Sequence, residues 1–203
     1  MKIALVGASG AVGSRVLKEL SARGHQVTAI ARDPSRIAAA PGVTAVAGDA
    51  GTVEGLSPLL KGHDAVVTAI HFTASDAGTL IAAVKASGVP RYLVVGGAGS
   101  LEVSPGVALY DAPGFPAVYL AEAKAGGAFL GLLKAEPALD WTFLSPSAEF
   151  VPGERTGQFR LGGDQLLTSA SGRSFISFED FAVALVDEIE QPRHSRTRFT
   201  VGY

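Results

Sequence analysis

The apolar run Ile3-Ala4-Leu5-Val6 breaks directly into Gly7-Ala8-Ser9-Gly10-Ala11-Val12-Gly13, and this junction constrains the chain more than any other feature. The spacing is G-x-x-G-x-x-G. Before it lies a strand-like run. After it, Val12, Val16, Leu17 and Leu20 recur on one helical face. Strand, tight glycine turn and helix in that order open a βαβ unit that holds a pyrophosphate. Gly7 permits the turn, Gly10 lets phosphate approach the backbone, and Gly13 lets the helix pack on the strand. The first N–H groups of the helix, at Ala11, Val12 and Gly13, have no partner inside it and carry the positive end of its dipole. Ser9 adds a hydroxyl. These six positions besides Ala8 are the candidate pyrophosphate ligands of a dinucleotide.

The rest of the chain repeats the alternation. Strand candidates are Lys2–Val6, Gln26–Ile30, Val43–Ala47, Ala65–Ile70, Tyr92–Val95, Trp141–Leu144 and Phe199–Gly202; helix candidates are Ala11–Ala22, Val53–Lys61, Ala77–Ala86 and Leu120–Ala135. Most of the strands are apolar almost throughout, as strands covered on both faces are. The expectation is an α/β fold, a doubly wound and mostly parallel sheet of about seven strands with helices on both faces. At 203 residues this is one domain, with a small substrate-side appendage over about 146–203. Two stretches interrupt the pattern. Gly96–Pro116 reads as one long loop. Pro152–Ser169, with Gln158–Leu161, Gly162-Gly163 and Leu166-Leu167, reads as a β-hairpin on a glycine turn. Ser177, with an acid three residues on, reads as the N-cap of a final helix.

Composition excludes several classes of function. Apolar residues reach 47% and charged ones 18%, the balance of a chain that buries a core. A net charge of −2 gives no basic surface for nucleic acid. With no cysteine there is no thiolate metal site or cysteine nucleophile. His25, His63 and His194 show no metal-ligand spacing, so no metal is expected, and the absence of a G-x-S-x-G elbow leaves hydrolase chemistry without support. No run of 18 apolar residues exists, and Met1-Lys2 leads straight into the first strand, so neither a membrane span nor a secretory signal is expected and the cytoplasm is the expected location.

The second strand distinguishes the two common dinucleotides. NAD enzymes place an acid at its end, on the ribose 2′-OH. Here Arg32 follows Ala31, Arg36 comes a turn later, and Asp33 is one residue late. Two guanidinium groups there suit a 2′-phosphate and predict NADP(H) over NAD(H), the alternative being two ordinary surface charges.

The glycine loop, Ala31-Arg32-Asp33-Pro34-Ser35-Arg36, Gly48-Asp49 and Leu144-Ser145-Pro146 together resemble the short-chain dehydrogenase/reductase superfamily in its extended and atypical branches. The resemblance is closest to small NAD(P)-binding proteins of the biliverdin reductase B (flavin reductase) and NmrA-like kind. It implies a parallel seven-stranded sheet. It also implies that Asp49 lies near the adenine; the residue reads equally as a helix cap before Thr52. Strand ends at Ala69-Ile70-His71, Gly96-Gly97-Ala98 and Ser145-Pro146 should line the nicotinamide ribose and ring, where His71 either bonds ribose or phosphate or is an inert loop residue.

The superfamily's usual proton machinery is a serine after the fifth strand and a Tyr-x-x-x-Lys pair. Tyr119 and Ser100 are the candidates here, but Ala occupies position 123 and the lysine falls at 124. Five residues along a helix is about 140° round it, so Lys124 points off the tyrosine's face. Tyr110, in the long loop, reads as a lid residue or a second proton donor. The leading expectation is an NADPH-dependent oxidoreductase acting on a small flavin-, quinone- or biliverdin-like acceptor. Behind it stand an NmrA-like NADP(H) sensor without turnover, and a sugar-nucleotide epimerase or dehydratase, for which Pro146–Tyr203 is small. No oligomeric state follows from the sequence.

Overall fold

A computed structural model describes residues 1–203. In chain order the elements are β1 (Lys2–Val6), α1 (Ala11–Ala22), β2 (Gln26–Ala31), β3 (Val43–Ala47), α2 (Val53–Leu60), β4 (Ala65–Thr68), α3 (Ala77–Ser87) and β5 (Arg91–Val95). There follow β6 (Glu102–Ser104), β7 (Val107–Ala108), α4 (Ala117–Lys134), β8 (Asp140–Pro146), β9 (Glu149–Val151), β10 (Arg160–Gly162), β11 (Phe175–Ser177), α5 (Phe178–Glu190) and β12 (Thr197–Gly202).

The central sheet has eight strands in the order β10-β12-β8-β5-β4-β1-β2-β3, all parallel except β10. Strand order reverses between β1 and β4. That is the switch point where open α/β sheets leave a crevice at the carboxyl ends of their strands. Ile3 and Leu5 of β1 join the cluster of 24 buried residues that α1 and α5 cover, whereas Ala4 and Val6 join the 19 under α2, α3 and α4. Both faces of each inner strand are apolar because both are covered. Each fully buried Leu or Phe, such as Leu20, Phe181 or Phe143, contributes about 1.5–3 kcal/mol. Away from the crevice, buried Arg91 ties β5 to Asp140 (2.9 Å), Thr142 (2.6 Å) and Glu188 of α5 (2.7 Å). No helix is long and apolar enough to cross a membrane.

Four expectations need correction. First, Gln158–Leu167 does not form a hairpin. Arg160–Gly162 pairs antiparallel with Thr200–Gly202, and this strand is the eighth of the sheet. The expected return arm bonds elsewhere: Glu102 N–H donates to Asp164 O (2.8 Å) and Leu166 N–H to Glu102 O (2.9 Å). The open edge of β12 and the backbone of β6 offer the two arms partners that a two-residue glycine turn cannot outbid. Second, Gly96–Pro116 is not one loop but carries the β6–β7 pair and a 3-10 turn at Leu109–Asp111. Third, α4 begins at Ala117, directly after Pro116, so Tyr119 lies in its first turn. Fourth, Asp49 does not cap α2, since Thr52 Oγ1 takes the Gly55 N–H (3.1 Å). Ser177 does cap α5, accepting from Asp180 N–H at 3.0 Å.

Candidate active site

At the switch point the glycine loop packs against the end of β4. Gly7 has φ +87, and a Cβ there would lie 2.3 Å from Ala69 O. A Cβ on Gly13 would lie 2.1 Å from Gly7 O. These two glycines are demanded by the chain's own close approach. Gly10 differs: it is exposed, and a Cβ would come only to 3.3 Å from Gly7 O. It caps α1 in an extended conformation with no side-chain cap, and the first turn holds no acid. The N–H groups of Ala11, Val12 and Gly13 donate to nothing within the chain. A bare backbone concavity with a row of open donors at a helix N-terminus suits a pyrophosphate, and half-buried Ser9 stands beside it.

Arg32 and Arg36 are both exposed, flanking a 3-10 turn at Pro34–Arg36 past the end of β2. The acid between them is committed elsewhere. Asp33 Oδ1 accepts from Ser35 Oγ (2.6 Å) and Ser35 N (3.1 Å), and these bonds hold its carboxyl below the ordinary value. Neither guanidinium makes an ion pair with it, although the nearby Arg36 charge also helps to lower the Asp33 carboxyl. Past β3, Asp49 is exposed and braces its own turn, with Oδ1 accepting from Gly51 N at 3.1 Å.

The ends of the next strands complete one side of the crevice. Ala69 and Ile70 are half-buried and touch the Gly7 position; His71 follows, with 85% of its side chain exposed. Gly96 is buried under β8, where a Cβ would meet the Phe143 ring at 2.4 Å and Leu144 O at 2.6 Å. Gly97 faces the Phe72 ring. Pro146 is buried at the end of β8, and beside it the Ser145 hydroxyl is buried without a partner.

The proton-transfer candidates separate. Tyr119 stands 63% exposed at the start of α4. The helix is continuous through Lys124, which keeps the lysine on another face. Ala123 sits where the superfamily's lysine would, and packs so closely that a Cβ on Gly99 would meet its Cβ at 2.5 Å. Ser100 and Tyr110 both border Gly127: a Cβ there would lie 3.2 Å from the Tyr110 hydroxyl and 3.5 Å from Ser100 Cβ. Ser100 Oγ accepts from Arg198 Nη1 (3.1 Å), and buried Arg198 also bonds Asp164.

Sequence reasoning missed two residues here. Arg198 reads as one more charge in β12. Glu122 reads as a solvated face of α4, yet its carboxylate accepts from Phe72 N (2.7 Å), Thr73 N (3.0 Å), Thr73 Oγ1 (2.7 Å) and His71 Nδ1 (3.2 Å). Burial alone would raise its pKa; the four donors outweigh burial and hold it below the ordinary 4.5. The only sequence signal was its place three residues after Tyr119, on the neighbouring side of the helix.

Comparison with known proteins shows the family. The chain is 41% identical to the uncharacterized protein YwnB of Bacillus subtilis (strain 168), over 99% of this chain and 98% of that one. A Bacteroides thetaiotaomicron structure, provisionally named an epimerase, superposes with a TM-score of 0.95 at 42% identity, covering 100% of this chain and 96% of the other. A Streptococcus pneumoniae structure, provisionally named an NADH-flavin reductase, gives 0.84 at 36% identity, with 100% and 99% covered. Residues 7–192, from the first loop glycine to just past the end of α5, match the family model described as NAD(P)H-binding. The chain belongs to that NAD(P)H-binding family of Rossmann-fold proteins.

Proposed function

We propose that this protein is an NADPH-dependent oxidoreductase that passes hydride to a flavin-, quinone- or biliverdin-like acceptor. The observation that carries the reading is a pair of open features at one end of the sheet. One is the unpartnered N–H row of Ala11, Val12 and Gly13; the other is Arg32 and Arg36, both exposed and neither hydrogen-bonded to a carboxylate. The first suits a pyrophosphate and the second a 2′-phosphate. When bound, the reduced nicotinamide supplies the hydride. The chain's part is to bind and orient: Gly7, Ser9, Gly10 and Gly13 at the phosphates, Asp49 toward the adenine side, and Ala69, Ile70, His71, Gly96, Gly97 and Pro146 along the inner half. Orientation of this kind carries much of the rate when the acceptor is an extended conjugated ring. The S. pneumoniae relative's name is in keeping with this class of acceptor.

The lysine-free face around Tyr119 favours one second reading, a sensor that binds NADP(H) without turnover. The epimerase named among the relatives is harder to accommodate, because that chemistry uses the Tyr–Lys pair missing here. NADPH oxidation with a panel of flavin, quinone and biliverdin acceptors, beside thermal shifts with NADPH and NADH, tests the proposal. Turnover with a larger shift for NADPH supports it. Tight NADPH binding with no turnover supports the sensor, and equal shifts for the two cofactors defeat the 2′-phosphate clamp.

A further inference from the structure

We infer that His71, held by Glu122, is the acid that protonates the reduced acceptor; this rests on the reductase reading above. The crevice lacks the usual lysine-assisted tyrosine, so a proton must come from another group. His71 occupies the right place in the fold. Ala69 and Ile70, immediately before it, touch the glycine loop at the Gly7 position. Phe72, immediately after it, packs beneath Gly97 at the end of β5 and against Gly126 of α4. The backbone of residue 71 therefore lies between neighbours that touch the glycine loop and the loop after β5, and its imidazole meets Glu122 of α4.

Its chemistry is set by α4. Glu122 Oε1 lies 3.2 Å from His71 Nδ1 and also takes the Phe72 N–H, while Oε2 takes Thr73 N–H and Oγ1. Those backbone bonds fix the carboxylate, and the carboxylate fixes the ring, with the Nδ1 proton directed to it. Nε2 is left free, on a side chain that is 85% exposed. A carboxylate on one nitrogen and an open second nitrogen is an arrangement by which an imidazole can pass a proton. A quinone-like acceptor that gains a hydride, with its two electrons, gains negative charge on oxygen. The Nε2–H bond of the imidazolium then breaks, its electron pair stays on the ring, and the proton goes to that oxygen. The species oxidised is the nicotinamide that gave the hydride. Solvent reprotonates the exposed ring.

The test is steady-state reduction of menadione by NADPH with the parent, His71→Ala, His71→Gln and Glu122→Gln, with NADPH affinity measured by fluorescence titration. We expect kcat to fall by about a hundredfold in both His71 variants, NADPH affinity to stay within about twofold, and millimolar imidazole to restore turnover to His71→Ala. Glu122→Gln should show a smaller loss. So exposed a position leaves the fold intact in both His71 variants, and their unchanged melting temperatures verify it. The inference is overturned if kcat holds within threefold, if the loss lies in NADPH affinity, or if imidazole restores nothing. A parent that reduces no quinone, flavin or biliverdin overturns the reductase reading and this inference together. A parent that turns over while His71→Ala does so equally well overturns this inference alone.

Discussion

The glycine loop separates two requirements that one motif usually hides, and alanine at Gly13 and at Gly10 should tell them apart. A Cβ at Gly13 would sit 2.1 Å from Gly7 O, 3.0 Å from Gly7 C and 3.3 Å from Ala8 Cα. All three are backbone atoms of a turn pinned by Gly7 N–H to Ile30 O at 2.9 Å. Ordinary contact would need the helix to withdraw from the turn by roughly 1 Å or more. Overpacking of this kind costs about 1–3 kcal/mol, and the rigid neighbour puts Gly13→Ala near the top; alanine's helix preference returns about 1 kcal/mol. The net loss of about 2 kcal/mol should lower Tm by about 4–8 °C in a chain of this size. At Gly10 the nearest atom, Gly7 O, is 3.3 Å away, a tight contact that a small shift relieves, and the backbone is extended, so alanine costs the weaker N-cap and that adjustment, about 1 kcal/mol. Its methyl, however, stands in the space the pyrophosphate needs. With NADPH at about 100 Kd the parent gains about 2.7 kcal/mol, or roughly 5–11 °C. Thermal melts with and without NADPH read both effects. Gly13→Ala should melt low, whereas Gly10→Ala should melt near the parent and lose the NADPH shift. A Gly10→Ala protein that keeps the full shift would show that the pyrophosphate does not rest on this backbone.

Arg32→Ala should weaken NADPH binding by about tenfold and leave NADH nearly unchanged, as loss of one charge-assisted bond at an exposed site predicts; a matching NADH loss in the same titration would mean the residue supports the turn instead. Glu19 is held below its ordinary 4.5, chiefly by the Arg155 hydrogen bonds, against burial and with help from Arg23. A depressed carboxylate stabilises above its unfolded pKa and loses that contribution as pH falls through the folded one, so Tm should drop below about pH 4.5 and Glu19→Gln should flatten the drop in calorimetry; parallel curves would reject the assignment. Tyr119→Phe should lower kcat for a quinone less than threefold, since a working general acid would cost about a hundredfold or more, and a loss of that size at unchanged NADPH affinity would return the superfamily's tyrosine mechanism.

The fold was legible wherever its cause was local. The glycine loop, α1 and the strands β1 to β5 follow from apolar period, turn residues and caps within a dozen residues of each other. The same local signals failed where a distant edge decided the pairing. Arg160–Gly162 has the composition of a hairpin arm, but its partner is the free edge of β12, about forty residues on, and the arm expected to return to it lies along Glu102 instead. The start of α4 carried a usable signal, Pro116 just before the helix, which the β-preferring pair Val118-Tyr119 obscured.

The site divides in the same way. Backbone ligands are legible because glycine spacing encodes them; side-chain partners on other elements are not. Glu122 sits between Ala121 and Ala123, where nothing in the sequence separates a solvated glutamate from one that gathers four donors. Its partners, residues 71–73, come about fifty positions earlier and meet it only when the connection after β4 folds across α4. That contact commits a carboxylate of α4 to the turn after β4. The superfamily sets an ammonium one turn beyond its tyrosine; here that position is a methyl group pressed on Gly99, and the charge one residue before it is a carboxylate. The missing lysine leaves Tyr119 without the partner its superfamily role requires, and the donor proposed in its place, His71, is the side chain that Glu122 holds.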